Sequence, residues 1–230
     1  CLRYQFFYRK NLQITSDRPY TWAHAARDGD AMHEWLIDAT DQMGALHSSE
    51  QTMIDNDYNF KGRYDLVVWI NNKLVLVDIK TQNNNQFKRR NSKSFIKTNG
   101  SNIDPYHRKQ IETYYLFLKA TTLPELEEAR VYYKNRETGE RQEIILDINE
   151  NRLMKVRQEL TLLNNYWKSE MIPPCTGEIS FCKNLCPYRE ICQQYDQGAC
   201  SYSVESKSTS TKTKASNKTI SKQTYYRRSK

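Results

Sequence analysis

"YDLVVWINNKLVLVDIK", residues 64–80, decides the fold. Two apolar runs, 64–70 and 73–79, are separated only by Asn71 and Asn72. Val, Ile and aromatic side chains suit a buried sheet, and Asn tolerates the positive φ that a two-residue hairpin turn demands. Such a turn sets the register: Ile70 faces Lys73, and counting outward Trp69 faces Leu74, Val67 faces Leu76 and Asp65 faces Asp78. Side chains two apart share a strand face, so Asp65, Asp78 and Lys80 gather at one end of an otherwise apolar pair of strands.

Two carboxylates opposed across a strand pair sit with Cβ atoms about 4.5–5.5 Å apart and repel each other. A divalent cation would offset that repulsion, and hard oxygen ligands suit Mg²⁺ or Mn²⁺. Lys80 would then stand where it can orient a metal-bound water or counter charge growing on a phosphate. An ion pair between Asp65 and Arg63 or Lys80 fits the bare pattern equally well.

Around this hairpin the spacing predicts a helix over 25–50 with Met32, Leu36 and Met43 at core positions. Residues 82–104 are polar, basic and aperiodic and read as a long surface loop, in which Lys88, Arg89, Arg90 and Lys93 are candidate contacts to a nucleic-acid backbone. Asp104-Pro105 reads as an N-cap followed by Pro at the first helical position. A second hairpin is expected over 129–146, turning near 137–140, and a further helix over 149–171. The mixture implies an α/β domain with a mixed sheet flanked by helices.

Composition excludes several classes. Charged residues make up 27% and apolar ones 38% of the 230 residues, and no apolar run approaches the roughly 18 residues of a membrane span. No signal-peptide pattern opens the sequence, so a cytoplasmic protein with no membrane partner is expected. The net charge of +8 is uneven, because residues 201–230 hold eight of the 35 Lys and Arg but one of the 27 Asp and Glu. The expected organisation is one domain over 1–200 and a basic, Ser/Thr/Lys-rich disordered tail over 201–230.

"GRYD" (62–65), "DIK" (78–80) and Gln110 with Tyr114 in "QIETY" occur in an order and spacing that resembles the PD-(D/E)XK nuclease superfamily. The resemblance implies a restriction-endonuclease-like core in which Asp65 and Asp78 bind Mg²⁺ or Mn²⁺, the Ile79 carbonyl adds a ligand, and Lys80 assists the water nucleophile. Gln110 and Tyr114, one helical turn apart, would support the lysine and the DNA. His33, in "GDAMHEWL", is similar to the histidine that is a further metal ligand in the RecB, AddB and CRISPR-associated branch. His107 lies one turn before Gln110 and belongs to no motif.

Cys182, Cys186 and Cys192 place three thiols within eleven residues of a chain that has six. A disulfide scaffold does not suit a chain of this length without a secretion signal, and spacing alone does not separate zinc from an iron–sulfur cluster. The RecB/AddB-like resemblance implies a 4Fe–4S cluster held by Cys1 upstream and Cys182, Cys186 and Cys192 downstream, closing the domain through a cysteine-rich C-terminal lobe. The gap from Cys182 to Cys186 departs from that pattern by one residue, which keeps Cys175 as an alternative ligand and leaves Cys200 without a role.

The implied activity is metal-dependent hydrolysis of DNA, with exonuclease action on single-stranded ends the leading form. The implied setting is recombination, repair or CRISPR adaptation, beside helicase, recombination or CRISPR-adaptation proteins. A structure-selective endonuclease, or a non-catalytic nucleic-acid-binding module with an iron–sulfur or zinc site, are the alternatives.

Overall fold

The hairpin of residues 64–80 forms the middle of a five-stranded mixed sheet. The computed structural model describes residues 1–12, 20–175, 182 and 186–195, so Cys200 and the tail at 201–230 lie outside the described residues. Helices α1 (Leu2–Arg9) and α2 (Tyr20–Gln42) lead into strands β1 (Leu46–Ser49), β2 (Thr52–Asp55), β3 (Phe60–Arg63), β4 (Leu66–Ile70) and β5 (Lys73–Gln82). Helices α3 (Asn84–Arg90), α4 (Lys93–Asn99) and α5 (Pro105–Thr121) cross over to β6 (Leu126–Asn135) and β7 (Arg141–Ile145). Helix α6 (Glu150–Lys168) and a short α7 (Arg189–Tyr195) follow.

The strand order is β1-β4-β5-β6-β7, while β2 and β3 pair separately. Only β5 and β6 run parallel, and the three helices between them supply the long connection that a parallel pair requires. Leu66↔Val77, Val67↔Leu76 and Trp69↔Leu74 are paired in the register deduced from the turn. Asn71 and Asn72 take φ values of 50° and 62° there, the left-handed region their side chains tolerate.

Strand alternation divides the core. Leu74 and Leu76 join Ile111, Leu118 of α5 and Val156 of α6 on one face of the sheet, and Val75 and Val77 join Ile37 of α2 on the other. A third cluster packs Phe6 and Phe7 of α1 against Leu163 of α6 and Tyr188. Asp104 accepts a hydrogen bond from the Tyr106 amide at 2.9 Å and Pro105 opens α5, as the sequence predicts. No helix of the described residues is long and apolar enough to cross a membrane.

Three expectations are corrected. Residues 82–104 are not a loop: β5 continues to Gln82, and α3 and α4 follow. Asn83 and Gln86 form a capping box that starts α3, and Phe87 and Arg90 are buried beneath it. Arg90 is therefore no surface contact; Lys88, Arg89 and Lys93 are exposed. Met43 lies beyond the end of α2 and is exposed, not in the core.

Candidate active site

The end of the β4–β5 hairpin concentrates charge in a buried place. Asp78 is 1% exposed, on the α5 side of the sheet. Its Oδ2 lies 2.8 Å from Lys80 Nζ, yet neither carboxylate oxygen accepts a hydrogen bond of good geometry. An under-satisfied buried carboxylate is costly. Burial accordingly pushes the Asp78 carboxyl up to about 6, against the pull of Lys80 and with the help of Asp65. Burial pulls the Lys80 ammonium down, but Asp78 and Asp65 outweigh it and hold Lys80 above its ordinary value.

Asp65 sits one residue before β4 and accepts the Ile79 amide on Oδ2 at 2.7 Å. That bond ties it across the hairpin, so the ion pair of Asp65 with Arg63 or Lys80 is not what the fold builds. His33, on α2, places Nε2 3.8 Å from Asp65 Oδ2 and Nδ1 3.2 Å from Glu50 Oε1. One ligand atom each from His33, Glu50 and Asp65 lie within 4.8 Å of one another. Two carboxylates and an imidazole, beside the buried Asp78 carboxylate whose Oδ1 has no partner, form a donor set that fits a divalent cation.

Glu50 is absent from the sequence reading. It occupies the turn between β1 and β2 with φ 52°, its amide bonded to the Asp65 carbonyl at 3.0 Å. A non-glycine residue in the left-handed region costs energy and often marks function, but nothing in the sequence announces that angle. Arg63 Nη1 meets Glu50 Oε2 at 2.7 Å, so the basic partner weighed for Asp65 serves Glu50 instead.

On α5 the Gln110 amide donates to Tyr114 Oη at 3.0 Å. Burial raises the phenol above its ordinary value, with Asp78, Lys80 and Asp65 all near enough to act on it. Gly62 makes this approach possible: a Cβ there would meet Tyr114 Cε1 at 2.8 Å and Phe60 Cζ at 2.7 Å. Behind the lysine, His107 Nδ1 lies 3.0 Å from Tyr133 Oη. Burial first, then Lys80, pushes His107 down to about 4, so it stays neutral. Arg90 stacks 3.6 Å from the Tyr133 ring centroid and bonds to Gln82 and the Asn102 carbonyl. The residue expected at the DNA surface is thus built into the floor of the site.

The cysteines assemble around α1 and α7, where the Cys1 amino group also feels Lys109 of α5. Cys175 Sγ and Cys182 Sγ are 4.0 Å apart, and buried Arg3 donates to Cys192 Sγ at 3.3 Å. Burial, then Cys192 and Cys175, pushes the Cys186 thiol up. Cys1, at the N-cap of α1, is half-buried.

Residues 38–193 match the family model described as the PD-(D/E)XK nuclease superfamily. No curated protein matches significantly. Among solved structures, SSO0001 is similar in fold, with a TM-score of 0.51 at 17% identity over 84% of this chain and 82% of that one. A candidate exonuclease from Eubacterium rectale gives a TM-score of 0.38 at 14% identity over 66% of this chain and 59% of that one.

Proposed function

The chain belongs to the PD-(D/E)XK nuclease superfamily, and from that premise we propose that it is a Mg²⁺- or Mn²⁺-dependent deoxyribonuclease acting as an exonuclease on single-stranded ends. The observation that carries this reading is the convergence of His33, Glu50 and Asp65 within 4.8 Å beside a buried Asp78–Lys80 pair. A cation held by His33, Asp65, Asp78 and Glu50 would polarise the scissile phosphodiester and lower the pKa of attacking water.

The chain's own groups do the rest. Lys80, kept protonated, donates to a phosphate oxygen and counters its growing charge. The Ile79 amide fixes the Asp65 carboxylate, and the Gln110 amide fixes the Tyr114 phenol, so neither must be ordered when substrate arrives. Neutral His107 and Tyr133 close the space behind Lys80 without adding a competing carboxylate. The Ile79 carbonyl remains a further ligand in this reading.

The cysteine end has a structural part in the same proposal. Cys1, Cys182, Cys186 and Cys192 would hold a 4Fe–4S cluster, with Cys175 the competing ligand because of its approach to Cys182. Such a cluster would fasten α1 to the C-terminal residues without redox chemistry at the active site.

End-labelled linear and circular single-stranded DNA test the reading with Mn²⁺, Mg²⁺ or EDTA, on protein purified without oxygen. Metal-dependent loss of the linear form only, abolished by Asp78→Ala, is expected. Cutting of the circle would replace exonuclease by endonuclease, and no cleavage from brown, cluster-loaded protein would leave only a binding module.

A further inference from the structure

A cleft of about 560 Å³ opens beside α2, on the sheet face opposite Asp78. Its walls include Met32 and Trp35 of α2, Thr81 of β5, Lys134 of β6, Arg136 and Arg141. Trp35 is 47% exposed. Lys134 Nζ stands 5.7 Å and Arg141 Cζ 5.3 Å from its ring centroid, so two cations are held against one open aromatic. The carboxylate in the wall, Asp28, pairs with Arg136 at 3.6 Å, which leaves the cleft net basic. Lys134 also donates to Met32 Sδ at 3.2 Å. Exposed aromatic surface beside fixed cations is the chemistry that takes bases and phosphates together.

The cleft shares both of its principal walls with the metal-ligand cluster. Helix α2 carries His33 between Met32 and Trp35, and β5 carries Lys80 immediately before Thr81. Alternation along β5 puts Asp78 and Lys80 on one face and Thr81 on the other, so a strand reaching both places must bend around the end of the sheet. Duplex DNA, stiff over roughly 150 base pairs, does not follow such a path. A single strand does.

Resting on the nuclease reading above, we propose that this cleft is a nucleotide subsite for single-stranded DNA, in which Trp35 stacks a base and Lys134 and Arg141 hold the phosphates next to that base. It would grip nucleotides a short distance from the cut and select single strands over duplex.

The test is binding of a labelled oligothymidylate of about 12 nucleotides to the full chain in EDTA, by fluorescence anisotropy, with a duplex of equal length as the comparison. Trp35→Ala and Arg141→Ala should each weaken binding about tenfold and leave the melting temperature unchanged. Arg141→Ala should also flatten the dependence of log Kd on log salt by about 0.7. Hydrolysis of thymidine 5′-p-nitrophenyl phosphate by the Mn²⁺-loaded variants should match the native rate, because that diester is too small to reach the cleft. Should Trp35→Ala melt early, Arg141→Ala and Trp35→Phe carry the test, with loss in the first and near-native binding in the second expected.

Native affinity in every variant overturns the subsite, and equal affinity for the duplex overturns the selection of single strands. Failure of the nuclease reading looks different: the oligonucleotide binds through Trp35 and Arg141 but survives intact with Mn²⁺.

Discussion

The carboxylate site and the cysteine group of this domain hold their reactive side chains by opposite means. In the first, Asp65, Asp78 and Lys80 ride on a hairpin whose register is locked by backbone pairing, and the Ile79 amide fastens one carboxylate directly. In the second, the thiols sit on short segments from the beginning and end of the described chain, gathered by Phe6, Phe7 and Tyr188 with Arg3. A preformed site pays in buried charge, while a gathered one relies on its ligand for rigidity. Loss of ligand should therefore silence the first and loosen the second.

The largest expected effect is at the carboxylate site. Asp78→Ala should reduce cleavage about a thousandfold, measured on end-labelled DNA, while circular dichroism stays native; an unfolded variant would show that the pair with Lys80 holds the fold. At the cysteine end, Cys186→Ser should lower Tm by several degrees, consistent with losing about 2–3 kcal/mol in a domain of this size. Cleavage there should fall less than tenfold below the melting transition. Equal effects on rate and Tm from both substitutions would erase the contrast.

Metal binding sharpens the comparison further. Mn²⁺ at about a hundred times its Kd should stabilise the protein by about 2.7 kcal/mol at pH 8. That gain should fade below pH about 6, where Asp78 takes up the proton that competes with the cation. A gain independent of pH would move the cation away from Asp78.

His107 gives a separate test. Its folded value of about 4 lies below the ordinary 6.5, so between those values the unfolded chain binds the extra proton. Its contribution is fully present above pH 6.5 and is lost as the pH falls to about 4, by at most about 3 kcal/mol. His107→Gln should flatten that part of the stability curve in urea titrations. The smallest effect belongs to Gly62→Ala, which must displace the rings of Tyr114 and Phe60. It should cost about 1–2 kcal/mol and slow cleavage a fewfold, whereas a native rate would detach Tyr114 from the chemistry.

What could be read in advance followed how locally each feature is specified. Asn71-Asn72 fixes the register of β4 against β5 with no information from elsewhere in the chain, and Asp104-Pro105 announces its helix just as locally. By contrast, Glu50 reaches His33 and Asp65 only through a left-handed turn, and that turn is stabilised by strands distant in sequence. Helix α3 carries one apolar anchor, Phe87, in a run of Asn, Gln and basic residues, so no hydrophobic period marks it. Its fixed point is Arg90, whose partners Gln82, Asn102 and Tyr133 exist only once β5 and β6 are side by side. The cluster of cysteines was visible as composition, but the approach of Cys175 to Cys182 needed the fold.

The packing of α1 has a consequence for how the molecule is made. Phe6 and Phe7 find Leu163 only after about 155 further residues have been joined, and Tyr188 after about 180, which at roughly 5–20 residues per second is on the order of ten seconds or more. During that interval the sheet and its carboxylates can assemble while the first helix waits with two aromatic rings uncovered. The birth of this domain thus has an order, with α1 among the last elements to settle, and that delay is the period in which a holdase or premature association would capture it.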